Sequence, residues 1–343
     1  MTTAPPLRWG LVGASDIAAT GMVPAMRRVG HEVTAVLSGS ASWAREYADR
    51  VGARAGLADP DAFLARDDVD AVYVSSTNDR HHDQVLAAAA AGKHVLCEKP
   101  LALTLDECAA MTAACARAGV VLAVNHHLPA ASTHRAIRDL VAGGAVGRPL
   151  AVAVTHATLL PGRLRDWRLG DAPGAGAVMD LTVHDASVVN ALLGTTAVEA
   201  TALVGNQGPW AAGREDVAMA VLRHPGEVLV RTHDAFTSPY TPTTLEVHGD
   251  EGSIRAVGVL TPEPEGTVWL TDAGGTREHE VPDRRHPYDL TLAAFTDAVH
   301  GAGRPVVDGT DGARALAVAL AVLESARTGT RVPVAAVVGN RSD

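Results

Sequence analysis

The sequence of 343 residues is poor in aromatic side chains and cysteines and has no long apolar run. No stretch approaches the ~20 apolar residues needed to span a bilayer. The net charge is −10 and no run of lysine and arginine interleaves with aromatics, so we expect no binding to nucleic acid or to a membrane surface. The amino terminus lacks a basic start before an apolar segment, which predicts a cytoplasmic protein.

The three cysteines predict neither disulfides nor a metal site. Cys108 and Cys115 lie seven residues apart on one predicted helix, too far apart to bridge, and Cys97 falls in a predicted core strand. No Cys/His ligand spacing is present, and the adjacent side chains of His126 and His127 diverge. We therefore predict buried reduced thiols and no bound metal.

The segments that are present predict an α/β protein of two domains. Residues 8–125 alternate apolar strands with alanine-rich helices, the pattern of a Rossmann-type doubly wound parallel sheet. Thr104 is a plausible N-cap for a helix over Leu105–Ala118. Beyond Asn125, helices and alternating strands predict an α+β domain with a mostly antiparallel open sheet. We predict a dinucleotide-binding domain over 1–125 and a substrate-binding domain over 126–343.

A glycine loop follows the first strand and opens the first helix, as Gly10-Leu-Val-Gly13-Ala-Ser15-Asp-Ile-Ala18. Gly13 permits a tight turn, and Ser15 stands where the backbone approaches a pyrophosphate. Ser15 replaces the usual second glycine, so the signal comes from the loop's place between strand and helix. A glycine turn without a ligand is the alternative.

The end of the second strand carries Ser38-Gly39-Ser40, where a dinucleotide fold usually places an acid on the ribose hydroxyls. Without a carboxylate there is no repulsion of a 2′-phosphate, and two hydroxyls can donate to it. Arg45 is the nearest cation, and Trp43 is a candidate cover for the adenine. NADP(H) is favoured and NAD(H) stays possible.

Further polar residues lie at the carboxyl ends of the later strands. Ser76-Thr77-Asn78 follows the third strand, with His81 close behind, and Asn125 ends the fifth strand. Parallel strands present these ends at one edge, where ligands bind. An N-cap role for Asn78 is compatible with this placement.

Glu98-Lys99-Pro100 ends the fourth strand at the same edge. Proline disfavours helix at the preceding residue, so Lys99 is expected in an extended turn. A lysine held beside a cofactor can donate a proton or polarise a carbonyl. A solvated surface lysine is the alternative.

A second group of chemical residues lies in the predicted helix Asp180–Leu193. Asp180 and His184 are spaced i and i+4, so a carboxylate would orient and charge an imidazole that acts as a general acid. A buried structural pair and a metal site are the alternatives. Trp167 and Arg168 could contact a polyol through an aromatic ring and the guanidinium donors. Tyr288 lies at the start of a late predicted helix and is a further candidate for contact with the cofactor or the substrate.

Together, the glycine loop, Glu98-Lys99-Pro100 and Asp180-Leu-Thr-Val-His184-Asp185 resemble the glucose–fructose oxidoreductase/inositol dehydrogenase (Gfo/Idh/MocA) family over essentially the whole chain. The resemblance implies catalytic roles for Lys99, Asp180 and His184. It implies cofactor contacts at Ala14, Ser15, Asp16, Ile17, Ser38, Ser76, Thr77, Asn78, His81, Glu98, Lys99, Asn125, Trp167, Arg168 and Tyr288. Where NADPH-using members tend to carry a basic residue after the serine segment, this chain has Trp43.

The implied activity is NADPH-dependent reduction of a cyclic sugar ketone, with acid assistance from Lys99 and His184. A dehydrogenase of a cyclic polyol or glycoside hydroxyl is an alternative in the same site. A non-catalytic regulator that senses NADP(H) is a third, although a sensor needs neither Lys99 nor His184. The expected partner is a small-molecule sugar, and the protein is either a monomer or a homo-oligomer through its second sheet.

Overall fold

The structure is a computed structural model that describes residues 4–210 and 213–338, leaving aside the side chain of Asp166. Its strands, in chain order, are β1 (Arg8–Val12), β2 (Glu32–Leu37), β3 (Ala55–Leu57), β4 (Ala71–Val74), β5 (His94–Cys97), β6 (Leu122–Val124), β7 (Pro149–Ala157), β8 (Glu199–Gly205), β9 (Val217–Arg223), β10 (Leu229–Ala235), β11 (Thr244–Gly249), β12 (Gly252–Val257), β13 (Thr267–Asp272), β14 (Gly275–Glu278) and β15 (Val332–Pro333).

The α-helices are α1 (Val23–Arg28), α2 (Ala41–Val51), α3 (Pro60–Leu64), α4 (His81–Ala90), α5 (Leu105–Ala118), α6 (Ser132–Ala142), α7 (Arg165–Leu169), α8 (Val183–Leu193), α9 (Pro287–Val299) and α10 (Gly309–Thr328). Short 3₁₀ turns lie at Asn78–Arg80, Leu128–Ala130, Gly162–Leu164 and Pro225–Glu227. Two π-helical turns, Ala18–Met22 and Val178–Thr182, run directly into α1 and α8. The sequence predicted one continuous helix at each of these places.

The chain forms two compact units. The first contains the chain up to His127 together with His286–Ala313, and the second contains Leu128–Arg285 together with the chain from Arg314 onward. The sequence analysis placed a single domain boundary after residue 125 and assigned His286–Ala313 to the second domain, whereas in the structure this segment belongs to the first unit. The domain boundary itself stays a prediction. His31 shows how the returning segment is held, because its Nε2 lies 3.0 Å from the Thr296 hydroxyl.

The first unit is built on a parallel sheet in the order β3-β2-β1-β4-β5-β6, which confirms the predicted Rossmann architecture. All four residues of β4 are buried, as expected when helices cover both faces of a sheet. The helix α5 begins at Thr104, whose hydroxyl accepts from the Glu107 amide while the Glu107 carboxylate accepts from the Thr104 amide. The predicted bounds and cap of this helix are therefore found in the structure.

The second unit is built on a nine-stranded sheet in the order β14-β13-β12-β11-β7-β10-β9-β8-β15. The pairs are antiparallel except for β7 with β10, which confirms the predicted mostly antiparallel sheet. Residues alternate between buried and exposed along β8 and β9, leaving Leu203, Met219 and Val221 exposed on one face. Assembly through this face stays a prediction.

The sequence predicted no apolar stretch long enough to span a bilayer, and the helices of the structure can be compared with that prediction. Among residues 4–210 and 213–338, no helix combines the length and the apolar character needed to cross a bilayer.

Candidate active site

The glycine loop of the first unit is held tightly against the end of β4. Gly13 has a φ of +100°, and a Cβ at this position would lie 2.9 Å from the Ser76 amide nitrogen. The Ser15 hydroxyl donates to the Ser75 hydroxyl (2.7 Å) and accepts from the Ala18 amide (3.2 Å). These contacts fix the turn with Ser15 itself, and glycine is needed at position 13 because backbone approaches backbone there.

A tyrosine from α2 supports the same loop. Tyr47 is fully buried, and its hydroxyl donates to the Ser15 carbonyl oxygen at 2.5 Å. The sequence analysis did not identify this residue. Its signal was a tyrosine on the buried face of the helix after the second strand, a place where a phenol needs a polar partner.

The end of β2 carries hydroxyls and an exposed aromatic ring. Ser40 caps α2 by accepting from the Trp43 amide (3.4 Å), and the Ser38 amide donates to the Leu57 carbonyl oxygen (3.0 Å). Trp43 is 40% exposed, and the Arg50 guanidinium lies 5.6 Å from its ring centroid. This edge therefore offers hydroxyls and a cation, without a carboxylate in Ser38-Gly39-Ser40.

Glu98 connects the ends of three neighbouring strands. Its Oε1 accepts from the Tyr73 hydroxyl and from Asn125 Nδ2 (2.6 Å), while Oε2 accepts from the Lys99 amide (3.3 Å). Burial raises the pKa of Tyr73, and the charge of Glu98 raises it further, so the phenol stays protonated and donates. The carboxylate thus fixes the backbone of Lys99 and the side chain of Asn125.

Lys99 stands beside a buried histidine in this unit. Burial, reinforced by the positive charge of Lys99, lowers the pKa of His126 to about 3. The peptide bond between Lys99 and Pro100 is cis. A neutral imidazole next to the lysine avoids placing two cations together in a partly desolvated setting.

His81 is fully buried, with both ring nitrogens close to backbone carbonyls. Nδ1 lies 3.0 Å from the Pro100 oxygen, and Nε2 lies 3.3 Å from the Ser76 oxygen. Burial lowers the pKa of His81. Its ring connects the turns after β4 and β5, and a direct contact with cofactor stays a prediction.

The other predicted cofactor residues of this unit lie around the same edge. Ala14 and Ser76 are half-buried, Asn78 and Tyr288 are buried, and Tyr288 meets His127 edge-on at 4.9 Å between ring centroids. The exposed members of the set are Asp16, Ile17, Gly39 and Thr77.

The polar edge of the first sheet fits a dinucleotide. At Gly13 the backbone packs directly against the Ser76 backbone, so no side chain fits there. A tight glycine turn of this kind is typical of a loop that binds a pyrophosphate through its backbone. Asn125 is 1% exposed, and its Oδ1 has no hydrogen-bond partner within the part of the chain that the structure describes. A buried acceptor of this kind calls for a donor such as a carboxamide.

Three of the predicted residues of the second unit contact one another. Arg168 Nε donates to Asp180 Oδ2 at 2.8 Å, and the Arg168 guanidinium lies 4.4 Å from the Trp167 ring centroid. Asp180 is 8% exposed and lies in the π-helical turn before α8, so the continuous helix assumed for its spacing to His184 is interrupted there. Asp180 is thus partnered by an arginine that sequence reasoning assigned to the ligand.

Behind His184 lies a cluster of buried acids and a second histidine. His156 Nδ1 lies 2.9 Å from Asp185 Oδ1, and its ring centroid lies 6.3 Å from that of His184. Thr182 donates its hydroxyl to Asp234 Oδ2 at 2.5 Å. Asp185 and Asp234 are both 0% exposed.

Both aspartates of this cluster have raised pKa values. Burial raises the pKa of Asp185 to about 7, against a lowering by its hydrogen bond with Asp234. Burial also raises the pKa of Asp234, and the charge and hydrogen bond of Asp185 raise it further. Burial thus favours the protonated form of both acids.

The sequence analysis did not select His156 or Asp234, although a signal was present. Both occupy positions that alternation turns inward, after Val152 and Val154 on β7 and after Val230 and Thr232 on β10. Titratable residues at inward positions of a strand need buried partners. Register then places the two residues side by side.

Comparison with known proteins agrees with both units. Residues 7–126 match the profile described as "Oxidoreductase family, NAD-binding Rossmann fold", and residues 134–255 match the "GFO/IDH/MocA C-terminal domain". The chain is 45% identical to 1,5-anhydro-D-fructose reductase of Ensifer adhaerens, over 94% of this chain and 97% of that protein.

Two further proteins extend the comparison. D-xylose 1-dehydrogenase (NADP(+)) 2 of Haloferax volcanii is 30% identical, over 95% of this chain and 99% of that protein. A crystal structure of aldose-aldose oxidoreductase from Caulobacter crescentus, complexed with glycerol, has a TM-score of 0.87 at 25% identity and covers 96% of this chain and 100% of that chain. The protein therefore belongs to the Gfo/Idh/MocA oxidoreductase family, whose amino-terminal domain is an NAD-binding Rossmann fold.

Proposed function

We propose that the protein reduces a cyclic sugar ketone with NADPH, and that the substrate is 1,5-anhydro-D-fructose, giving 1,5-anhydro-D-mannitol. The observation that carries this proposal is the 45% identity to 1,5-anhydro-D-fructose reductase of Ensifer adhaerens across nearly the full length of both chains. The strings His233-Asp-Ala-Phe-Thr237 and Glu246-Val-His-Gly249, which lie outside the family motifs, also resemble 1,5-anhydro-D-fructose reductase.

In this proposal, the chain supplies the proton and the electrostatics. The reduced nicotinamide, when bound, supplies the hydride that the carbonyl carbon receives. His184 or Lys99 donates a proton to the oxygen as it becomes an alkoxide, and the positive charge of Lys99 stabilises that oxygen. Glu98 holds the Lys99 backbone, and Arg168 holds Asp180.

The proposal is tested first by following the loss of reduced-nicotinamide absorbance with 1,5-anhydro-D-fructose, separately with NADPH and NADH. Oxidation of NADPH alone is the expected result. If neither cofactor is oxidised, the substrate assignment is wrong. NADP⁺ reduction over a panel of aldoses and cyclic polyols then tests the dehydrogenase alternative, which the likeness to a D-xylose dehydrogenase supports.

The role of Lys99 is tested by replacing it with methionine. We expect kcat to fall by about 10²-fold or more, as for loss of a group that donates a proton or stabilises charge in the transition state. The dissociation constant of NADPH should change little. The control is Lys93→Met, because Lys93 is the only other lysine in the sequence and its ammonium donates to the carbonyls of Arg66 and Val69. Near-normal turnover of Lys99→Met would reject the assignment.

The preference for NADPH rests on the missing acid at the end of β2. Ser38→Asp would place a carboxylate where it hydrogen-bonds the ribose of NADH and repels a 2′-phosphate. We expect the dissociation constant of NADPH to rise at least about tenfold, since a charge-assisted hydrogen bond contributes roughly 1.5–3 kcal/mol. The matched control is Ser38→Asn, which has a similar size and no charge. Equal effects of the two variants on NADPH binding would reject the charge argument.

A further inference from the structure

The buried cluster of Thr182, Asp185, Asp234 and His156 is not used by the mechanism proposed above. These residues come from the π-helical turn before α8, from α8, from β10 and from β7. Burying two carboxyl groups away from water destabilises a protein unless their oxygens have hydrogen-bond donors and their negative charge is reduced by protonation. The cluster is therefore expected to contain a hydrogen-bond donor for each carboxyl oxygen.

One proton between the two acids satisfies all four oxygens. Asp234 Oδ2 accepts from the Thr182 hydroxyl, and Asp185 Oδ1 lies 2.9 Å from His156 Nδ1. The remaining oxygens, Asp185 Oδ2 and Asp234 Oδ1, are buried and meet no other donor among the described residues. Asp185 and Asp234 lie close enough for their side chains to interact, and a hydrogen bond between these two oxygens requires a proton on one of them.

Either placement of this proton leaves Asp185 Oδ1 as an acceptor. Burial and the charge of Asp185 raise the pKa of Asp234, which favours Asp234 as the acid that keeps the proton. Asp234 as the neutral acid accepts at Oδ2 from Thr182 and donates from Oδ1 to Asp185 Oδ2. Asp185 is then the carboxylate and accepts at Oδ1, so His156 must carry a hydrogen on Nδ1.

We propose that His156 is a positioning residue of the active site, and that a chain of hydrogen bonds from Thr182 through Asp234 and Asp185 keeps a proton on its Nδ1. The proposal rests on the proposed function only in its catalytic part, which is that His156 supports the neighbouring His184. The ring separation of 6.3 Å makes that support electrostatic or water-mediated. No covalent step is involved, and the shared proton stays between the two aspartates.

Further titratable groups lie around the cluster. His184 lies next to Asp185 on α8, and Asp180 with Arg168 lies at the turn before it. His134 on α6 points Nε2 towards the Val259 carbonyl (2.9 Å), and burial lowers its pKa to about 4. His134 is therefore neutral at pH 8, where the test is made.

Two isosteric substitutions have opposite expected effects. In Asp234→Asn, the amide can accept from Thr182 and donate to Asp185, so Asp185 stays a carboxylate and His156 keeps its Nδ1 proton. In Asp185→Asn, the amide oxygen accepts from the acid Asp234 and the amide nitrogen donates towards His156. The Nδ1 proton is then lost and the ring becomes the Nε2–H tautomer.

The direct measurement is a long-range ¹H–¹⁵N spectrum of histidine-labelled protein at pH 8, which distinguishes protonated from unprotonated ring nitrogens. His156→Gln identifies the His156 signals among the 15 histidines. We expect Nδ1 of His156 to be protonated in the wild type and in Asp234→Asn, and unprotonated in Asp185→Asn. An unprotonated Nδ1 in the wild type, or a protonated one in Asp185→Asn, would overturn the proposal.

Kinetics and a matched variant separate positioning from folding. We expect Asp185→Asn to lower kcat at least about tenfold with little change in KM, and Asp234→Asn to keep most of kcat. The control is Asp216→Asn, the same substitution at another buried acid, which accepts from the Gln207 and Gly208 amides. It should keep the His156 spectrum of the wild type. If the wild type reduces no sugar ketone, the proposed function fails, while the spectrum still decides the hydrogen-bond chain.

Discussion

At the scale of single residues, Glu98 shows how one side chain organises a site. Its carboxylate accepts from Tyr73 on β4, from Asn125 after β6 and from the Lys99 amide. The sequence placed Glu98 among the cofactor contacts by resemblance, whereas the hydrogen bonds give it a structural partner at each neighbouring strand end. Removing it would leave buried donors without an acceptor.

We expect Glu98→Ala to lower the free energy of unfolding by about 1–3 kcal/mol, because the Tyr73 hydroxyl and Asn125 amide lose their acceptor. NADPH should also bind more weakly, since Asn125 and Lys99 lose their support. Urea unfolding and fluorescence titration measure the two effects. Glu98→Gln keeps one carbonyl acceptor and should lose less stability. If the alanine variant is as stable as the wild type, the hydrogen bonds contribute little.

At the scale of secondary structure, the start of α5 was readable from local sequence alone. Thr104 and Glu107 accept from each other's backbone amides, which satisfies two donors at the start of the helix. The helices after Ile17 and Ala177 begin instead with π-helical turns. Such a turn inserts one extra residue per turn, and no local propensity predicts it.

Thr104→Ala is expected to destabilise the protein by about 1 kcal/mol through loss of this cap. The control is Thr112→Ala in the same helix, where the hydroxyl donates to the Cys108 carbonyl oxygen four residues earlier. That substitution should be close to neutral or slightly stabilising, because alanine has the higher helix propensity. Chemical denaturation of both variants is the measurement. Equal losses of unfolding free energy in the two variants would show that the cap at Thr104 contributes no more to stability than the threonine at position 112.

At the scale of the whole molecule, buried histidines make the fold sensitive to acid. Burial lowers the pKa of His31, His134 and His224 to about 4. In the unfolded chain these rings bind protons near pH 6.5, so between pH 6.5 and about 4 the unfolded state holds more protons. Their stabilising effect is present above pH 6.5 and is lost as the pH falls through this window.

His31→Gln tests this sign. His31 accepts the Leu7 amide at Nδ1, so its protonation breaks a buried hydrogen bond. We expect the variant to lose part of the slope of unfolding free energy against pH between 4 and 6.5, by up to about 1.4 kcal/mol per pH unit. The control is His248→Gln at an exposed position, which should leave the slope unchanged. An unaltered slope in His31→Gln would contradict the prediction.

The buried aspartates act in the opposite direction. Because burial raises the pKa of Asp185 to about 7, the folded state holds the extra proton between pH 3.8 and about 7. Their stabilising effect is complete below pH 3.8 and is lost as the pH rises through this range. Asp185→Asn should therefore make the unfolding free energy rise more steeply with pH over that window than in the wild type. A slope equal to that of the wild type would show that Asp185 does not titrate there.

The sequence by itself determined the architecture and the edge at which the candidate cofactor residues lie. Continuous apolar strands alternating with helices specify a parallel sheet, and its topology brings the carboxyl ends of the strands together. This is why residues as distant as Gly13, Ser76 and Asn125 can be assigned to one edge from the sequence alone.

Only the tertiary structure decided which side chains are partners. Arg168 pairs with Asp180, His81 connects two turns, and Asp234 lies beside His156 across β10 and β7. These pairs join elements that are distant along the chain, and their geometry depends on strand register and on the π-helical turn before α8. Local sequence encodes propensity and periodicity, whereas such contacts are fixed only when the sheet and helices pack together.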